Sequence, residues 1–444
     1  TRFYDIGKQD GFEIVYWNNT IFDLAEIGYK ELKITDAKLH TLTDVFKNAK
    51  IHVALNQYIK KTRDDVYDTY RFPFSTRNFK TSIKTFVSKS LISIFNSEEG
   101  LKSLSDRINK LERSTKYYQN CLDTLIDEKP DFVFCSNQRA ASAIAPLLAA
   151  QDLGIPTATF IFSWDNLPKA TMIVDCENYF VWSDFMKEEL LKYYSYITED
   201  QVIVTGTTQF EPHLTPSLLV PKEDFFAKYN LDMQKKYICY SGDDITTSPD
   251  DERYLEDVAL GIEKLNRNNY NLGVIFRRSP ADFSDRYDAV LEKFSEIIVS
   301  IDPLWVQKGN SWNTVMPTAE DLALQVNIIS NCEMVINIAS SMIFDFAVFN
   351  KPCLYVNYNV LNSKKPDWSS QTVYNFVHFR SMPSQESVIW LTNPAMVADE
   401  IEKALNGVPI IIQSAKDWFK KINKHPAQDA SRRIWDSITL IISN

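Results

Sequence analysis

Apolar runs alternate with helix-period stretches along most of this chain, and the clearest case is residues 333–358. Met334 to Ile338 is an apolar run interrupted only by Asn337, as expected of a buried strand. The small residues Ala339, Ser340 and Ser341 follow. Met342, Phe346 and Phe349 then recur at helical spacing. Asn350 suits the left-handed conformation that ends a helix, and Pro352 blocks its continuation. Cys353 to Val356 is a second apolar run. The stretch predicts one β-α-β unit with little chain between its strands.

The same alternation recurs. Phe132–Cys135 predicts a strand, an Ala-rich helix follows, Gly154-Ile155-Pro156 punctuates, and Thr157–Phe162 predicts the next strand. Tyr179–Trp182, Val202–Thr205, Lys236–Tyr240 and Leu272–Phe276 read as further strands. Strand and helix in alternation predict an α/β protein with parallel sheets. A chain of 444 residues exceeds one ordinary core, so two domains of roughly 200 residues are expected. The boundaries predicted are 1–214, 215–424, and a final amphipathic helix over 425–444.

The N-terminal part is less regular. Phe12–Trp17 predicts a strand after a turn at Asp10-Gly11, with a weaker strand at Leu32–Ile34 and helices around 39–58 and 99–126. Residues 71–95 hold five cations (Arg71, Arg77, Lys80, Lys84, Lys89) and no acid, interleaved with aromatic and aliphatic residues. On a helix, Phe79, Ile83, Phe86, Val87, Leu91 and Ile94 share one face. Two readings stay open: a core helix with snorkelling lysines, the more ordinary one, or a helix lying on an anionic membrane.

Composition narrows the class. Hydrophobic residues make up 45% and charged residues 24%, as in soluble globular proteins. The net charge of −10 argues against a nucleic-acid binder. Six scattered cysteines with no Cys-x-x-Cys read as buried thiols. No apolar run is long enough to span a membrane. No Gly-x-Gly-x-x-Gly, P-loop or Asp-x-Asp is present, which argues against a dinucleotide dehydrogenase, a P-loop kinase and an essential metal.

In parallel sheets, ligands bind beyond the carboxyl ends of the strands, so the polar residues there are the candidates. Ser340 and Ser341 open a helix where free N–H groups favour phosphate. Asp345, within that helix, could bond a ribose diol. Gly242, after a strand, lets backbone approach a bound group. Arg277 and Arg278 end another strand and could clamp a diphosphate. In the N-terminal half, Ser136, Asn137 and Arg139 form one such loop. Trp164, Asp165 and Asn166 form another, offering a carboxylate, an amide and an aromatic wall, or equally an Asx-turn with a packed Trp. His213, beside the domain boundary, reads as structural.

The segment ASSMIFDFAVFNKPCLYV (residues 339–356) resembles the nucleotide-binding segment of GT-B glycosyltransferases. It is most similar to bacterial surface-polysaccharide transferases and CDP-glycerol glycerophosphotransferases. Ser-Trp-Asp-Asn (163–166) resembles a stretch of capsule and lipopolysaccharide transferases. Thr205-Gly206, with the polar loop and Pro212 behind it, resembles the exit from the first GT-B domain and a piece of UDP-N-acetylglucosamine epimerases. The resemblance covers roughly residues 130–440. It implies two Rossmann-like domains facing a cleft, an acceptor site on the first and a nucleotide-donor site on the second, and a last helix returning to the first. It gives Asp345 the ribose, Ser340, Ser341, Arg277 and Arg278 the phosphates, and Asp165 the role of base.

Asn337 stands where retaining members carry Glu, which implies inversion. No metal and no cofactor are expected, the nucleotide-sugar donor being a substrate and a glycan or lipid-linked group the acceptor. A cytoplasmic location follows, with peripheral contact at the inner membrane face through 71–95 as the open alternative. Arg-Arg-Ser-Pro (277–280) lacks the His that many members have after the Arg, and Phe12–Trp17 matches what is usually the second strand, so an upstream strand and helix are expected. An epimerase of the same fold and a non-catalytic nucleotide- or glycan-binding scaffold are the competing readings.

Overall fold

The computed structural model describes residues 2–443. The chain forms two compact units. One comprises Arg2–Asn19, Leu24–Thr208 and the chain from Ile422; the other comprises Thr20–Asp23 and Gln209–Lys421.

The first unit begins with helix Phe3–Gln9, followed by a short parallel pair, β1 (Tyr16–Asn18) and β2 (Glu31–Lys33). The Phe12–Trp17 strand is thus confined to its last residues and one beyond. Helices Thr43–Thr62, Phe79–Ile94, Glu98–Arg113 and Lys116–Glu128 come next. The long helix expected over 99–126 is broken at Ser114-Thr115, because the Thr115 hydroxyl caps the second piece by accepting from the Tyr118 N–H at 3.0 Å.

Four parallel strands then build the sheet in sequential order: β3 (Val133–Cys135), β4 (Thr157–Phe160), β5 (Asn178–Val181) and β6 (Val202–Val204). Its strands bury Ala158 and Phe180 against Ile6 of the first helix and against Ile434, Trp435 and Ile438 of the C-terminal helix Ala430–Ser443. The Trp435 indole N–H donates to the Phe3 carbonyl at 2.7 Å. The two ends of the chain therefore complete one core.

The second unit holds a six-stranded, all-parallel sheet. Its strands are β7 (Lys236–Ser241), β8 (Leu272–Arg277), β9 (Ile298–Ser300), β12 (Cys332–Asn337), β13 (Cys353–Val356) and β14 (Ile389–Leu391). A minor antiparallel pair, β10 (Val306–Gln307) and β11 (Val315–Met316), stands apart from this sheet. The spatial order is β14-β13-β12-β7-β8-β9. Counted within the sheet this is 3-2-1-4-5-6, a doubly wound order: the chain moves outward from β7 in one direction, returns, and moves outward in the other. The central strands are apolar on both faces, with Cys239, Ile336 and Leu354 fully buried, which is why they read as largely apolar runs. The alternation in sequence thus yields two Rossmann-like parallel-sheet units. The six cysteines are all free thiols. Among the described residues no helix is long and apolar enough to cross a membrane.

Of the two readings left open for residues 71–95, the ordinary core helix is not what the structure shows. The helix Phe79–Ile94 does not bury its Phe/Ile face. Thr85 and Ser88 are its buried residues. The Thr85 hydroxyl donates to the Ser75 carbonyl at 2.8 Å and the Ser88 hydroxyl to the Val45 carbonyl at 3.4 Å. Small hydroxyl side chains allow close approach to the neighbouring helix and satisfy their own polar groups on backbone, so this narrow face packs inward and the bulky one is left outside.

Candidate functional site

In a doubly wound sheet the loops after the first and fourth strands diverge, leaving a crevice at the carboxyl edge. Here those loops follow β7 and β12, and the exit of β8 lies next to β7.

After β7, Gly242 continues the ladder, its N–H donating to the Arg277 carbonyl at 2.9 Å. A Cβ on Gly242 would meet the Phe276 ring at 2.9 Å and the Tyr287 hydroxyl at 3.1 Å. Tight packing beneath the loop requires this glycine, and its φ is ordinary. Asp243 follows, half-buried. Its Oδ2 makes no hydrogen bond among the described residues. Burial, then the neighbouring carboxylates of Asp251 and Asp244, hold Asp243 well above the usual carboxylate range, with Arg286 and the Ile338 N–H pulling the other way. Burial pushes Asp251 up as well, opposed by its hydrogen bonds and Arg286: it accepts from the Tyr287 hydroxyl at 2.7 Å, the Asp243 N–H at 3.1 Å and the Tyr240 hydroxyl at 3.1 Å. Asp243 is thus a carboxyl whose ionisation is disfavoured, at the switch point next to the end of β12.

After β12 the backbone turns sharply. Ala339 has φ +55°, a left-handed conformation that costs a non-glycine residue on the order of 1–2 kcal/mol. Two contacts hold the turn. The Ala339 N–H donates to the Tyr374 hydroxyl at 3.2 Å, and the Ser340 N–H to Asn337 Oδ1 at 3.1 Å. Asn337 thus braces the loop. The Ser340 hydroxyl accepts from the Met342 N–H at 3.3 Å, and its carbonyl accepts from the Tyr355 hydroxyl at 2.8 Å. Ser341 sits at the cap position and makes no side-chain cap bond. The helix it opens, Met342–Val348, has only seven residues, so its dipole is short. Asn350 ends it with φ +58°, the left-handed form expected there.

Asp345 is buried, and its carboxylate lies against Nε2 of His213. The His213 Nδ1 is buried without a hydrogen-bond partner among the described residues. The two lie 132 positions apart in sequence, so nothing local signals the pair. Reaching a ribose requires Asp345 to part from this partner.

Arg277 is also engaged. Its Nη2 donates to both carboxylate oxygens of Asp321 at 2.9 and 2.8 Å, in a pair with side chains 9% and 3% exposed. Asp321 additionally accepts from the Leu304 N–H and the Trp305 indole N–H, both at 2.7 Å. In sequence Asp321 reads as a helix-start acid, and the Thr318 cap does form, at 3.0 Å from the Asp321 N–H. Its carboxylate, however, serves as the counter-ion of Arg277. Arg278 lies over the Tyr287 ring at 5.3 Å and donates to the Ser284 carbonyl, while its Nε is buried without a partner among the described residues.

The loops of the first unit are joined by a residue that sequence reasoning missed. Gln138 is fully buried. Its Oε1 accepts from the Phe162 N–H at 2.9 Å and its Nε2 donates to Asn166 Oδ1 at 3.1 Å. It ties the loop after β3 to the loop after β4. The only sequence signal was an amide flanked by Asn137 and Arg139. Ser136 and Arg139 are exposed, and the Asn137 side chain caps its own turn by accepting from the Arg139 N–H at 3.0 Å. Trp164 and Asn166 are packed inward. Asp165 is part-exposed and held by the Lys169 ammonium and, at 2.8 Å, by the Asn166 amide. Among the described residues no cluster of His, Cys, Asp and Glu is arranged to hold a metal ion.

No protein-family model matches the chain, and no curated protein does. Among solved structures the chain is similar to the S. aureus MnaA–UDP co-structure, at 15% identity over 90% of this chain and 94% of that one, with a TM-score of 0.48. It is similar to the UDP-GlcNAc 2-epimerase of Neisseria meningitidis bound to UDP-GlcNAc, at 14% identity over 80% and 88%, with a TM-score of 0.45. It is also similar to the wall teichoic acid polymerase TagF, at 12% identity over 70% and 72%, with a TM-score of 0.44. Likenesses this distant speak to neither ligand nor reaction.

Proposed function

We propose that this protein is an enzyme of the GT-B type acting on a nucleoside-diphosphate-activated sugar, bound at the switch point of the six-stranded sheet. One observation carries the reading. Three strand exits converge there, bringing a glycine, two serines behind a strained turn, an aspartate and two arginines to one sheet edge. Ser340 and Ser341 offer hydroxyls to phosphate. Arg278, with an unpartnered Nε, and Arg277, with an unpartnered Nη1, supply positive charge. Asp345 takes the ribose diol when it leaves His213, and Gly242 keeps the crevice floor low.

The reaction we favour is inverting transfer to a glycan or lipid-linked acceptor in surface-polysaccharide synthesis. The acceptor hydroxyl attacks the anomeric carbon from the face opposite the leaving nucleoside diphosphate. Asp165 accepts its proton, and arginines and N–H groups receive the departing charge. Ser136, Asn137, Arg139, Trp164 and Asn166 position the acceptor. Asp165 acts as base only when it is released from Lys169.

Epimerisation of the sugar nucleotide is the second reading. Asp243 favours it: a carboxyl whose pKa is raised, within the donor unit itself, is suited to act as an acid that needs no second substrate. Incubation with radiolabelled UDP- and CDP-linked donors, with and without acceptors, separates the readings. Product only with acceptor supports transfer, and a C2-epimeric sugar without acceptor supports epimerisation. Tight donor binding with no turnover makes the chain a scaffold.

A further inference from the structure

The Phe79–Ile94 helix carries its largest apolar side chains outward. Phe79 is 82% exposed, Phe86 72%, Ile94 72% and Ile83 48%. These positions, with Ser90, fall on one helical stripe. Phe72, in the segment leading to the helix, is 57% exposed. The opposite stripe is the Thr/Ser face described above, and it borders a cavity of about 180 Å³ lined in part by His52, Phe74 and Lys84. The last turn packs Leu91 and Ile92 against Ala49, Val53 and Leu104, while the earlier turns border the cavity within and are apolar without. Its start is self-sufficient: Asn78 accepts from the Thr81 N–H at 2.9 Å, and Thr81 Oγ1 accepts from the Asn78 N–H at 3.1 Å.

Charge specifies what the face meets. The chain carries −10 overall, yet residues 71–95 hold five cations and no acid. Arg71 is turned inward onto Asp68 and Asn56. Arg77, Lys80 and Lys89 are exposed at the margins of the apolar stripe, with Lys89 over the Phe74 ring at 5.5 Å, and Lys84 is half-buried near Asp44. Of the acids near the helix base, Asp44 is held by Lys47 at 2.8 Å. A stripe of phenylalanine and isoleucine bordered by exposed cations, on an acidic protein, is complementary to a surface that is apolar beneath and negative at its boundary.

We propose that this face is a membrane-docking surface that lays the Phe79–Ile94 helix in the interface of a bilayer containing anionic lipid. Phe79, Ile83, Phe86 and Ile94 enter the acyl boundary, while Arg77, Lys80 and Lys89 meet lipid phosphates. The inference stands independently of the nucleotide site.

The test is co-sedimentation of the full chain with vesicles of phosphatidylcholine alone or with about a third phosphatidylglycerol. The wild type is expected to bind the anionic vesicles and to release as salt rises. Phe79→Ser/Phe86→Ser and, separately, Arg77→Glu/Lys80→Glu should each lower the partition coefficient at least tenfold with Tm unchanged, because all four side chains are exposed. Phe86→Trp, which preserves the face, should bind and show a blue-shifted emission on the vesicles. Failure of the wild type to sediment, equal binding by either double variant, or concentration-dependent self-association abolished by Phe79→Ser/Phe86→Ser without vesicle binding would each overturn the proposal. The last outcome would assign the face to a second copy of the chain.

Discussion

Replacing Asp321 by alanine should destabilise the six-stranded unit more than its position in a capped helix start suggests. The carboxylate accepts four hydrogen bonds: two from Arg277 Nη2, one from the Leu304 N–H and one from the Trp305 indole. Arg277 is 7% exposed, and its Nη1 already lacks a partner among the described residues. Alanine therefore strands a buried guanidinium. Breaking a buried pair from one side costs about 3–5 kcal/mol, because the remaining charge is uncompensated. The two freed N–H groups keep the value toward the upper end. Asp321→Asn, which retains an acceptor and loses the charge, should cost less.

Urea unfolding followed by hydrogen exchange of β8 and β12 reads the unit on its own. The same reasoning predicts that a nucleoside diphosphate recovers part of the loss, since the stranded Arg277 then finds an anion. A cost below about 1 kcal/mol for Asp321→Ala would refute it. The Arg277 charge would then be satisfied elsewhere, and the pair would not hold the β8 exit in place.

Three further outcomes follow. Because the folded-state pKa of Asp243 is raised, its stabilising contribution is complete below about pH 4, the unfolded value, and is lost as pH rises through the folded value. The Tm of Asp243→Asn should decline less than that of the wild type from pH 4 to 8, and parallel curves would contradict the assignment. Asp165→Asn should lower transferase turnover by about 10²–10⁴-fold with donor affinity unchanged by calorimetry; near-normal turnover would move the base elsewhere. Asp345→Ala should weaken nucleoside diphosphate binding by about 1–3 kcal/mol in titration calorimetry, and unchanged affinity would leave Asp345 as the partner of His213 alone.

What the sequence disclosed follows from the range of the interactions involved. The central parallel strands of the large sheet (β7, β8, β12 and β13) are buried on both faces, so they read as largely apolar runs; the short edge strands β9 and β14 do not. The residues at the carboxyl ends of the central strands, Gly242, Arg277 and Ser340 among them, could be located before any coordinates. The left-handed end at Asn350 was equally local. The partners of these residues were not. Asp321 is 44 positions from Arg277 and His213 is 132 from Asp345, and no periodicity encodes such pairs. Gln138 was passed over because a buried amide in a loop looks like any polar loop residue until both of its acceptor and donor partners are placed. The Phe79–Ile94 helix was undecided for a different reason. Its amphipathic pattern gave the apolar stripe correctly, but the pattern alone left open whether that stripe faces a core or the outside. Threonine and serine pack closer to a neighbouring helix than phenylalanine does.

The central claim is that a nucleoside diphosphate occupies the switch point between the β7 and β12 exits. Hydrogen–deuterium exchange of the full chain, with and without saturating UDP or CDP, tests it most directly. The account predicts slowed exchange in two separated peptides, covering residues 241–244 and 338–345, with a smaller effect at the β8 exit, residues 277–279. Protection confined to other segments, or none with either nucleotide at millimolar concentration, would contradict it.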